Sequence, residues 1–309
     1  MAAIVDSHPN GVDRRIDRLS VLSGKRVIEP DDALPGGIGP GQVLPNELLS
    51  VAGLDLDLTA EQRTTLSREE VASIAANGVR FEAVLAAGFS LDILRREDLT
   101  DPRVTYILHE LGEETRHSRL FVRMIEQLAP RAVNPIDRRI ILGAQRHVLP
   151  RLMRRPALFC VLVLSGEEIP DLFQKLAADH PDTDPFIRDV NRYHRQEEAR
   201  HLNFARMLLP ELVAETTRFE RWQLRHVAPL LLEVMFDMLV HPGVYEVVGL
   251  PGWDTWRAAK KSAPRSALKH QALRPVAQAL IDAGALRKGR VPKQWQRVCG
   301  IDRYGAALA

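Results

Sequence analysis

Hydrophobic residues in this chain recur at spacings of three, four and seven over long stretches, the pattern of helices that bury one face. In the clearest stretch, Thr100 or Asp101 can cap a helix and Pro102 fits its first turn. A further proline, Pro130, marks the end. The sequence therefore predicts a helix over about 102–130. Its buried stripe contains Ile107, Leu111, Glu114, Phe121, Ile125 and Leu128.

An earlier helix follows from a similar start signal. Thr59 and Gln62 have the spacing of a capping box. No proline occurs between them and residue 102, so a long helix is expected to begin near residue 59. Glycine lowers helix propensity, and this helix could break near Gly78 or Gly88.

Prolines punctuate the second half of the chain. Pro150, Pro156 and Pro170 lie within residues 135–176 and predict a broken or kinked third element. Asp184, followed by a proline, can cap a further helix. More helix is expected through residues 220–239. The stripe of the helix capped by Asp184 carries Phe186, Val190, Tyr193, His194, Glu198, His201, Ala205 and Leu208.

Signals for β-structure are missing from the sequence. Neither Asn-Gly pair is flanked by alternating apolar runs, and no Gly-x-Gly-x-x-Gly loop occurs, so we expect an all-α protein. The prolines and glycines of residues 1–55 predict an irregular arm that wraps on the body or is disordered. Residues 56–250 would form the helical body. Residues 251–309 would form a basic helical extension packed on the same domain.

Charge is distributed unevenly. The net charge is +2, yet residues 251–309 hold twelve Lys or Arg against three Asp. Such a region could dock an electron donor, attract an anionic substrate or bind nucleic acid, or it could be a solvated helical face. We expect no nucleic-acid partner, because Trp253, Trp256 and Trp295 accompany these charges without a recognised nucleic-acid-binding motif.

Several observations favour a soluble cytoplasmic protein. Cys160 and Cys299 are far apart, which argues against a disulfide framework. The first fifteen residues lack the apolar stretch of a secretory signal peptide. The most apolar runs, 157–166 and 228–240, are too short or too interrupted by charge to span a bilayer, so no membrane contact is expected.

Two similar motifs carry the candidate chemistry. Residues 113–117 read EETRH and residues 197–201 read EEARH, so both contain Glu-x-x-His. Side chains three residues apart lie side by side on a helix, so each motif can present a carboxylate and an imidazole to one ion. The pairs are Glu114 with His117 and Glu198 with His201, and His194 lies one turn before Glu198.

A metal is the simplest explanation for these groups on apolar stripes. Buried unpaired carboxylates either raise their pKa values or bind cations. Carboxylates mixed with imidazoles favour iron or manganese over calcium or a structural zinc. Helical bundles build such dinuclear sites from two Glu-x-x-His motifs and a lone glutamate on each of two other helices.

The lone glutamates are predicted from their surroundings. Glu82 lies among apolar residues, whereas Glu69 and Glu70 are expected to be solvated. Between the motifs, Glu167 or Glu168 should bridge the metals, and helical spacing alone does not choose between them. We favour Glu167 and keep Glu168 in reserve.

Other polar residues near the motifs have simpler alternatives. Glu113 and Glu197 could lie behind the ligands or on the surface. Arg116 and Arg200 could pair with nearby carboxylates or be exposed. His194 could instead donate to a backbone carbonyl.

The motifs EETRH and HRQEEARH resemble those of the non-haem di-iron N-oxygenases typified by p-aminobenzoate N-oxygenase, over roughly residues 60–230. The family's extra histidine falls on His194. The resemblance implies a ferritin-like four-helix bundle with additional helices, and metal ligands at Glu82, Glu114, His117, Glu167, His194, Glu198 and His201.

The resemblance also implies a function. It suggests a homodimer that binds two iron ions, with manganese as the alternative, and uses dioxygen and an external reductase to oxygenate the nitrogen of an aromatic amine or related small substrate. One alternative is a ferritin-like oxidase or acyl desaturase, against which His194 argues. Another is an iron-storage or metal-carrying bundle, which would need neither the arm nor the basic extension.

Overall fold

The computed structural model describes residues 11–136, 143 and 146–308. Within these ranges the chain is helical and has no strand, and Ile301 and Ala307 form only an isolated antiparallel bridge. The helices are α1 (Gly11–Lys25), α2 (Pro30–Ala33), α3 (Ala60–Arg95), α4 (Pro102–Leu128), α5 (Leu149–Leu152), α6 (Pro156–Asp179), α7 (Pro185–Ala214), α8 (Arg218–His226), α9 (Ala228–Asp237), α10 (Gly243–Glu246), α11 (Gly252–Ala259), α12 (Ala263–Asp282) and α13 (Lys293–Cys299). The predicted all-α, ferritin-like fold is confirmed, with α3, α4, α6 and α7 as the long helices.

Helix α3 begins at the predicted capping box. Gln62 N–H donates to Thr59 Oγ1 at 3.2 Å, and Thr59 N–H donates to Gln62 Oε1 at 2.9 Å. The expected break at Gly78 or Gly88 does not occur. A Cβ at Gly78 would lie 2.9 Å from the Phe121 ring, and a Cβ at Gly88 would lie 2.0 Å from the Phe159 ring. The glycines therefore let two aromatic rings pack against α3, which offsets the roughly 1 kcal/mol that glycine costs in a helix.

The start signals of α4 and α7 are also present. Asp101 accepts a hydrogen bond from Arg103 N–H, and Asp184 accepts one from Ile187 N–H. The interruption predicted for the third element falls between α5 and α6, whereas Pro170 lies inside α6 without ending it. Residues 1–10 of the arm and residues 137–142, 144 and 145 of the third segment lie outside the described residues.

The N-terminal segment is more regular than its composition predicts. Residues 11–25 form α1, which buries Ile16 and Leu19 and packs against α4. The chain then runs across the bundle, where Ile38 N–H donates to Gln127 and Gly39 N–H donates to Asp184. A short amphipathic helix gains most of its stability from such packing, which propensity alone does not reveal.

The expectation that Glu69 and Glu70 are solvated is wrong, since both are buried. Glu69 accepts hydrogen bonds from the backbone N–H groups of Arg131 and Ala132. Glu70 accepts from the backbone N–H and the hydroxyl of Ser50. Each carboxylate accepts hydrogen bonds from the backbone of a loop that is distant in sequence. The residues beside Glu69 and Glu70 along α3 therefore do not indicate the environment of these carboxylates.

Part of the positive charge of the C-terminal region is neutralised by ion pairs with acidic residues of α9. Lys269 and Lys260 pair with Asp237 at 3.2 and 3.1 Å, and Arg297 pairs with Glu233 at 2.6 Å. These contacts join the C-terminal region to α9, and α12 packs along α6. The region is therefore only partly a solvated basic face. Both cysteines are free and buried.

Among the described residues, α3 is long and apolar enough, by length and composition, to cross a membrane. The apolar runs named from the sequence, 157–166 and 228–240, do not include this helix. Core helices of soluble proteins pass the same test, and α3 places Glu70 and Glu82 in the interior. We therefore describe α3 as a bundle helix, and the absence of membrane contact stays a prediction.

Candidate metal centre

The four long helices bring the seven predicted ligand residues together. All seven are buried, and no more than 5% of any of their side chains is exposed. They form two groups, in each of which one nitrogen or oxygen atom per residue lies within 4.8 Å of the others. The first group is Glu82, His117 and His194, and the second is Glu114, Glu167, Glu198 and His201. Their role as metal ligands stays a prediction.

The two Glu-x-x-His motifs interlock. His117 Nδ1 lies 3.0 Å from Glu114 Oε2 and 3.2 Å from Glu198 Oε1. His201 Nδ1 lies 3.0 Å from Glu198 Oε2 and 3.2 Å from Glu114 Oε1. Each of these carboxylates therefore directs one oxygen toward each histidine. Glu114 and Glu198 are thus placed where each could share its two oxygens between two cations, and the bridging role expected of Glu167 stays a prediction.

The outer nitrogen of each motif histidine contacts the first glutamate of the other motif. His117 Nε2 lies 3.0 Å from Glu197 Oε2, and His201 Nε2 lies 2.7 Å from Glu113 Oε2. An imidazole that donates Nε2–H leaves Nδ1 free as a metal ligand, so these contacts select the tautomer that directs a lone pair inward. Glu113 and Glu197 thus lie directly behind the two histidines.

The two motif arginines pair across the same interface. Arg116 lies 3.3 Å from Glu197, and Arg200 lies 2.8 Å from Glu113. Of the two alternatives open for the arginines, pairing with nearby carboxylates is the one observed. Burial would raise the pKa of Glu113, but its contacts with His201 and Arg200 leave that pKa below its ordinary value.

His194 is held in the opposite orientation. Its Nδ1 lies 3.1 Å from Gln174 Oε1 and donates to that side-chain oxygen, not to a backbone carbonyl. Its Nε2 faces the cluster, 3.5 Å from Glu198 Oε1 and 3.8 Å from Glu82 Oε1. Burial, together with the neighbouring His117, lowers the pKa of His194 to about 4, so the imidazole is neutral and offers Nε2 to a cation.

Sequence reasoning missed Gln174. It lies two turns beyond Glu167 on α6 and shares that buried face, which is a usable signal. Glu168, the reserve ligand, points elsewhere and pairs with Arg206. The one-residue difference between Glu167 and Glu168 rotates the side chain by about 100° around α6, and only Glu167 reaches the cluster.

The electrostatics of the cluster call for cations. Burial, reinforced by repulsion between carboxylates, raises the pKa values of Glu82 and Glu167 well above their ordinary range. Burial alone would also raise the pKa of Glu114, but His201 lowers it to about 2. Burial would lower the pKa of His117, but its contacts with Glu114 and Glu197 raise it to about 9, so protons on the histidines balance part of the carboxylate charge. Two divalent cations would displace these protons and balance four carboxylates surrounded by neutral imidazoles.

Unpartnered atoms mark where such cations fit. Buried inward-facing atoms on five of the seven side chains have no hydrogen-bond partner among the described residues. They are Glu82 Oε2, Glu114 Oε1, Glu167 Oε1, Glu198 Oε1 and His194 Nε2. Of these, Glu114 Oε1 and Glu198 Oε1 lie 3.2 Å from a histidine Nδ1 without forming a hydrogen bond. Buried polar atoms without partners are costly, and a pair of bound metal ions would satisfy all of them.

A further buried carboxylate adjoins the cluster. Glu110 lies one turn before Glu114 on α4, and neither of its oxygens has a hydrogen-bond partner. Burial raises the pKa of Glu110 to about 8, so this carboxyl is protonated near neutral pH. Sequence reasoning also missed this residue, although it lies four residues before Glu114 on the same buried stripe.

A cavity of about 320 Å³ borders the cluster at Glu82, Glu167 and His194. Its wall is mainly apolar, with rings contributed by Phe81 and Phe121. Substrate-sized cavities with few polar groups are the usual form of small-molecule sites. The candidate ligand residues Glu82, Glu167 and His194 therefore face a pocket that can hold an organic molecule.

Comparison with known proteins agrees with this geometry. The family model described as P-aminobenzoate N-oxygenase AurF matches residues 16–284, a range that includes all four helices of the cluster. Uncharacterized proteins of Mycobacterium bovis and Mycobacterium tuberculosis are 27% identical to the chain over 195 residues, which is 59% of the chain and 53% of each relative. The chain thus spans about half the length of the curated relatives it matches.

Proposed function

The chain belongs to the p-aminobenzoate N-oxygenase family, a family of di-iron oxygenases. We propose that it uses two iron ions and dioxygen to oxygenate the nitrogen of a small organic amine. The observation that carries this proposal is the cluster of four buried carboxylates and three imidazoles beside an apolar cavity. The carboxylate and imidazole donor set suits iron, with manganese as the alternative metal.

The proposed reaction is balanced by an external reductant. A primary amine, dioxygen, two electrons and two protons would give a hydroxylamine and water. Ferrous ions, when bound, would supply electrons to dioxygen, and the external donor would reduce the resulting ferric ions again.

The protein's own residues have separable roles in this proposal. The seven ligand residues would hold the ions, and Glu113 and Glu197 would keep the motif histidines in the tautomer that binds metal. Glu110 would hold a proton at its carboxyl one turn from Glu114. The apolar wall of the cavity would keep water from the reacting nitrogen.

The external donor is proposed to dock through the basic loop, defined here as Arg287, Lys288, Arg290 and Lys293. These four side chains are exposed and have no ion-pair partner among the described residues. Ion pairs hold four of the other C-terminal cations, Arg257, Lys260, Lys269 and Arg297. Because this loop groups four unpaired cations, it is the best candidate for binding an acidic electron-transfer protein. The homodimer and the cytoplasmic location also remain proposals.

Metal analysis combined with isotope labelling tests this function. We expect two irons per chain in protein purified from iron-supplemented cells. We also expect the reduced protein to consume ¹⁸O₂ and transfer one labelled oxygen atom to an arylamine. Zinc or no metal in the cluster would contradict the proposal. Oxygen consumption that only deposits iron would favour storage, and desaturation of an acyl chain would favour the desaturase alternative.

A further inference from the structure

A second cavity adjoins the one beside the metal groups. It has a volume of about 230 Å³, is partly open to solvent and is lined by side chains from α3, α5, α6 and α9. Its described lining is entirely apolar and includes Leu85, Leu149, Leu162 and Leu231. Nothing in the proposed oxygenation of a compact arylamine requires this second space.

The two cavities are neighbours that share part of their walls. Phe81, Val84, Val234 and Met235 line both of them. Side chains alone therefore stand between the cavities at these positions. Met235 is unbranched and flexible, so its movement would let a chain pass from the first cavity into the second.

Phe81 lies at the junction and next to the metal groups. It precedes Glu82 in α3, and its ring packs against Gly166, the residue before Glu167. A Cβ at Gly166 would lie 1.6 Å from the ring, so only glycine allows this position. The ring therefore forms part of the wall between the candidate ligand groups and the second cavity.

Two polar side chains of the first cavity are held by internal partners. The Asn77 amide donates to the carbonyl oxygens of Ser73 and Met238 at 2.9 and 3.1 Å. The Gln174 oxygen accepts from His194. Arg80 is the cation among the described lining residues, and it is exposed and lies at the rim. An apolar group would suit the interior better than a carboxylate, which would be buried away from Arg80.

From this geometry we infer that the substrate is a primary amine carrying an extended apolar tail. The amine lies in the first cavity near Glu82, Glu167 and His194, and the tail reaches past Phe81 into the second cavity. This inference rests on the proposed function for the identity of the reacting group. The binding of the tail can be tested without any turnover.

A series of para-alkylanilines from ethyl to octyl probes the second cavity. Binding is measured by calorimetry on the iron-loaded protein without reductant, with p-aminobenzoate for comparison. We expect the affinity to rise about fourfold for each added methylene, equivalent to ~0.8 kcal/mol, and p-aminobenzoate to bind more weakly than the ethyl compound. An affinity that stays level from ethyl to octyl would overturn the inference.

Cavity-filling variants locate the tail. Leu162→Phe and, from another helix, Leu231→Phe place a ring in the second cavity only. We expect each to weaken octylaniline binding at least tenfold while changing ethylaniline binding less than twofold. Leu172→Phe is the matched control, because Leu172 is also a half-buried leucine of α6 and lines neither cavity.

The outcomes separate the two proposals. If Leu172→Phe weakens octylaniline binding as much as Leu162→Phe and Leu231→Phe do, the tail does not occupy the second cavity and the inference is wrong. If chain-length dependence and variant effects are as expected but the bound amines are never oxygenated, the binding inference stands and the proposed N-oxygenation fails.

Discussion

His201 on α7 lies 2.7 Å from Glu113 on α4 through its outer nitrogen, and this contact is repeated in reverse between His117 and Glu197 at 3.0 Å. Each Glu-Glu-x-x-His motif therefore supplies one inward carboxylate and histidine, and one outer glutamate for the histidine of the other helix. The pairing joins α4 and α7 directly behind the candidate metal centre.

This relationship predicts a specific effect of Glu113→Gln. The neutral amide would no longer stabilise the Nε2–H of His201 or balance Arg200, so His201 would hold its inward nitrogen less firmly. We expect iron affinity to fall roughly 10–100-fold while the helical circular dichroism spectrum is unchanged. Competition with a chelator measures the affinity.

Glu211→Gln is the control for Glu113→Gln. Glu211 also pairs with an arginine, Arg103, but near the surface of α7 and away from the cluster. Equal iron affinity in Glu113→Gln and Glu211→Gln would show that the contact between Glu113 and His201 does not support metal binding.

His194→Ala tests the histidine that distinguishes the second motif. Because His194 is neutral in the absence of metal, its removal leaves no buried charge unpaired, and we expect the variant to fold. Its iron content should fall from two ions per chain toward one, with loss of amine oxygenation. Full activity and two irons in this variant would remove His194 from the site.

Gly166→Ala should be strongly destabilising. The added Cβ would collide with the Phe81 ring, and relieving the clash should cost about 1–3 kcal/mol of unfolding free energy and displace the neighbouring Glu167. Urea unfolding and iron content measure the two effects. Gly112→Ala, at a helical glycine whose added Cβ would be no closer than 3.9 Å to Arg116, should instead be neutral or slightly stabilising. Similar losses in both variants would contradict the proposed packing.

Glu70 predicts a pH dependence of stability that is separate from the metal groups. Burial raises the pKa of Glu70 to about 7 from its ordinary value of 4.5. The folded state therefore holds this proton more tightly than the unfolded state does. The resulting stabilisation is complete below pH 4.5 and is lost as the pH rises to about 7, a change of about 3 kcal/mol.

Comparison of the wild type with Glu70→Gln isolates this effect. The amide oxygen can still accept from Ser50, but it does not ionise. We expect the variant to become progressively more stable relative to the wild type between pH 4.5 and 7, as measured by urea unfolding. Parallel stability curves over this range would show that Glu70 titrates normally.

Docking of the electron donor predicts a salt-sensitive reaction. Lys288→Glu combined with Arg290→Glu should lower kcat/KM for an acidic protein donor by roughly tenfold at low ionic strength, because steering depends on charge. Turnover driven by dithionite should be unchanged. Lys175→Glu, at an exposed lysine of α6 that pairs with Asp179, is the control, and an equal loss there would argue against docking at the basic loop.

The positions of the long helices could be predicted because their signals are local. The caps at Thr59, Asp101 and Asp184 lie within a few residues of the groups they bind, and the apolar period reports the buried face. The break expected in α3 was wrong for the opposite reason. Its glycines are tolerated because rings from α4 and α6 pack against them.

Six of the seven residues of the candidate centre could be predicted from the sequence, because helical spacing places His194 and each Glu-x-x-His pair on one face and Glu82 lies among apolar residues. The choice of Glu167 over Glu168 could not be predicted, since it depends on how α6 is rotated in the bundle. The partners of Glu69 and Glu70 were likewise hidden, because they belong to distant loops.

By itself, the sequence determined which side chains could share a helix face, and with them the fold class and the chemistry of the cluster. Only the tertiary structure decided which faces meet: that Glu113 and Glu197 cross to the opposite histidines, that Gln174 orients His194, and that a second cavity continues beyond Phe81. The physical reason is that the directions of side chains on a helix recur every few residues and can be followed along the sequence. Contacts between helices depend instead on the relative rotation of the helices and on loops far away in the chain.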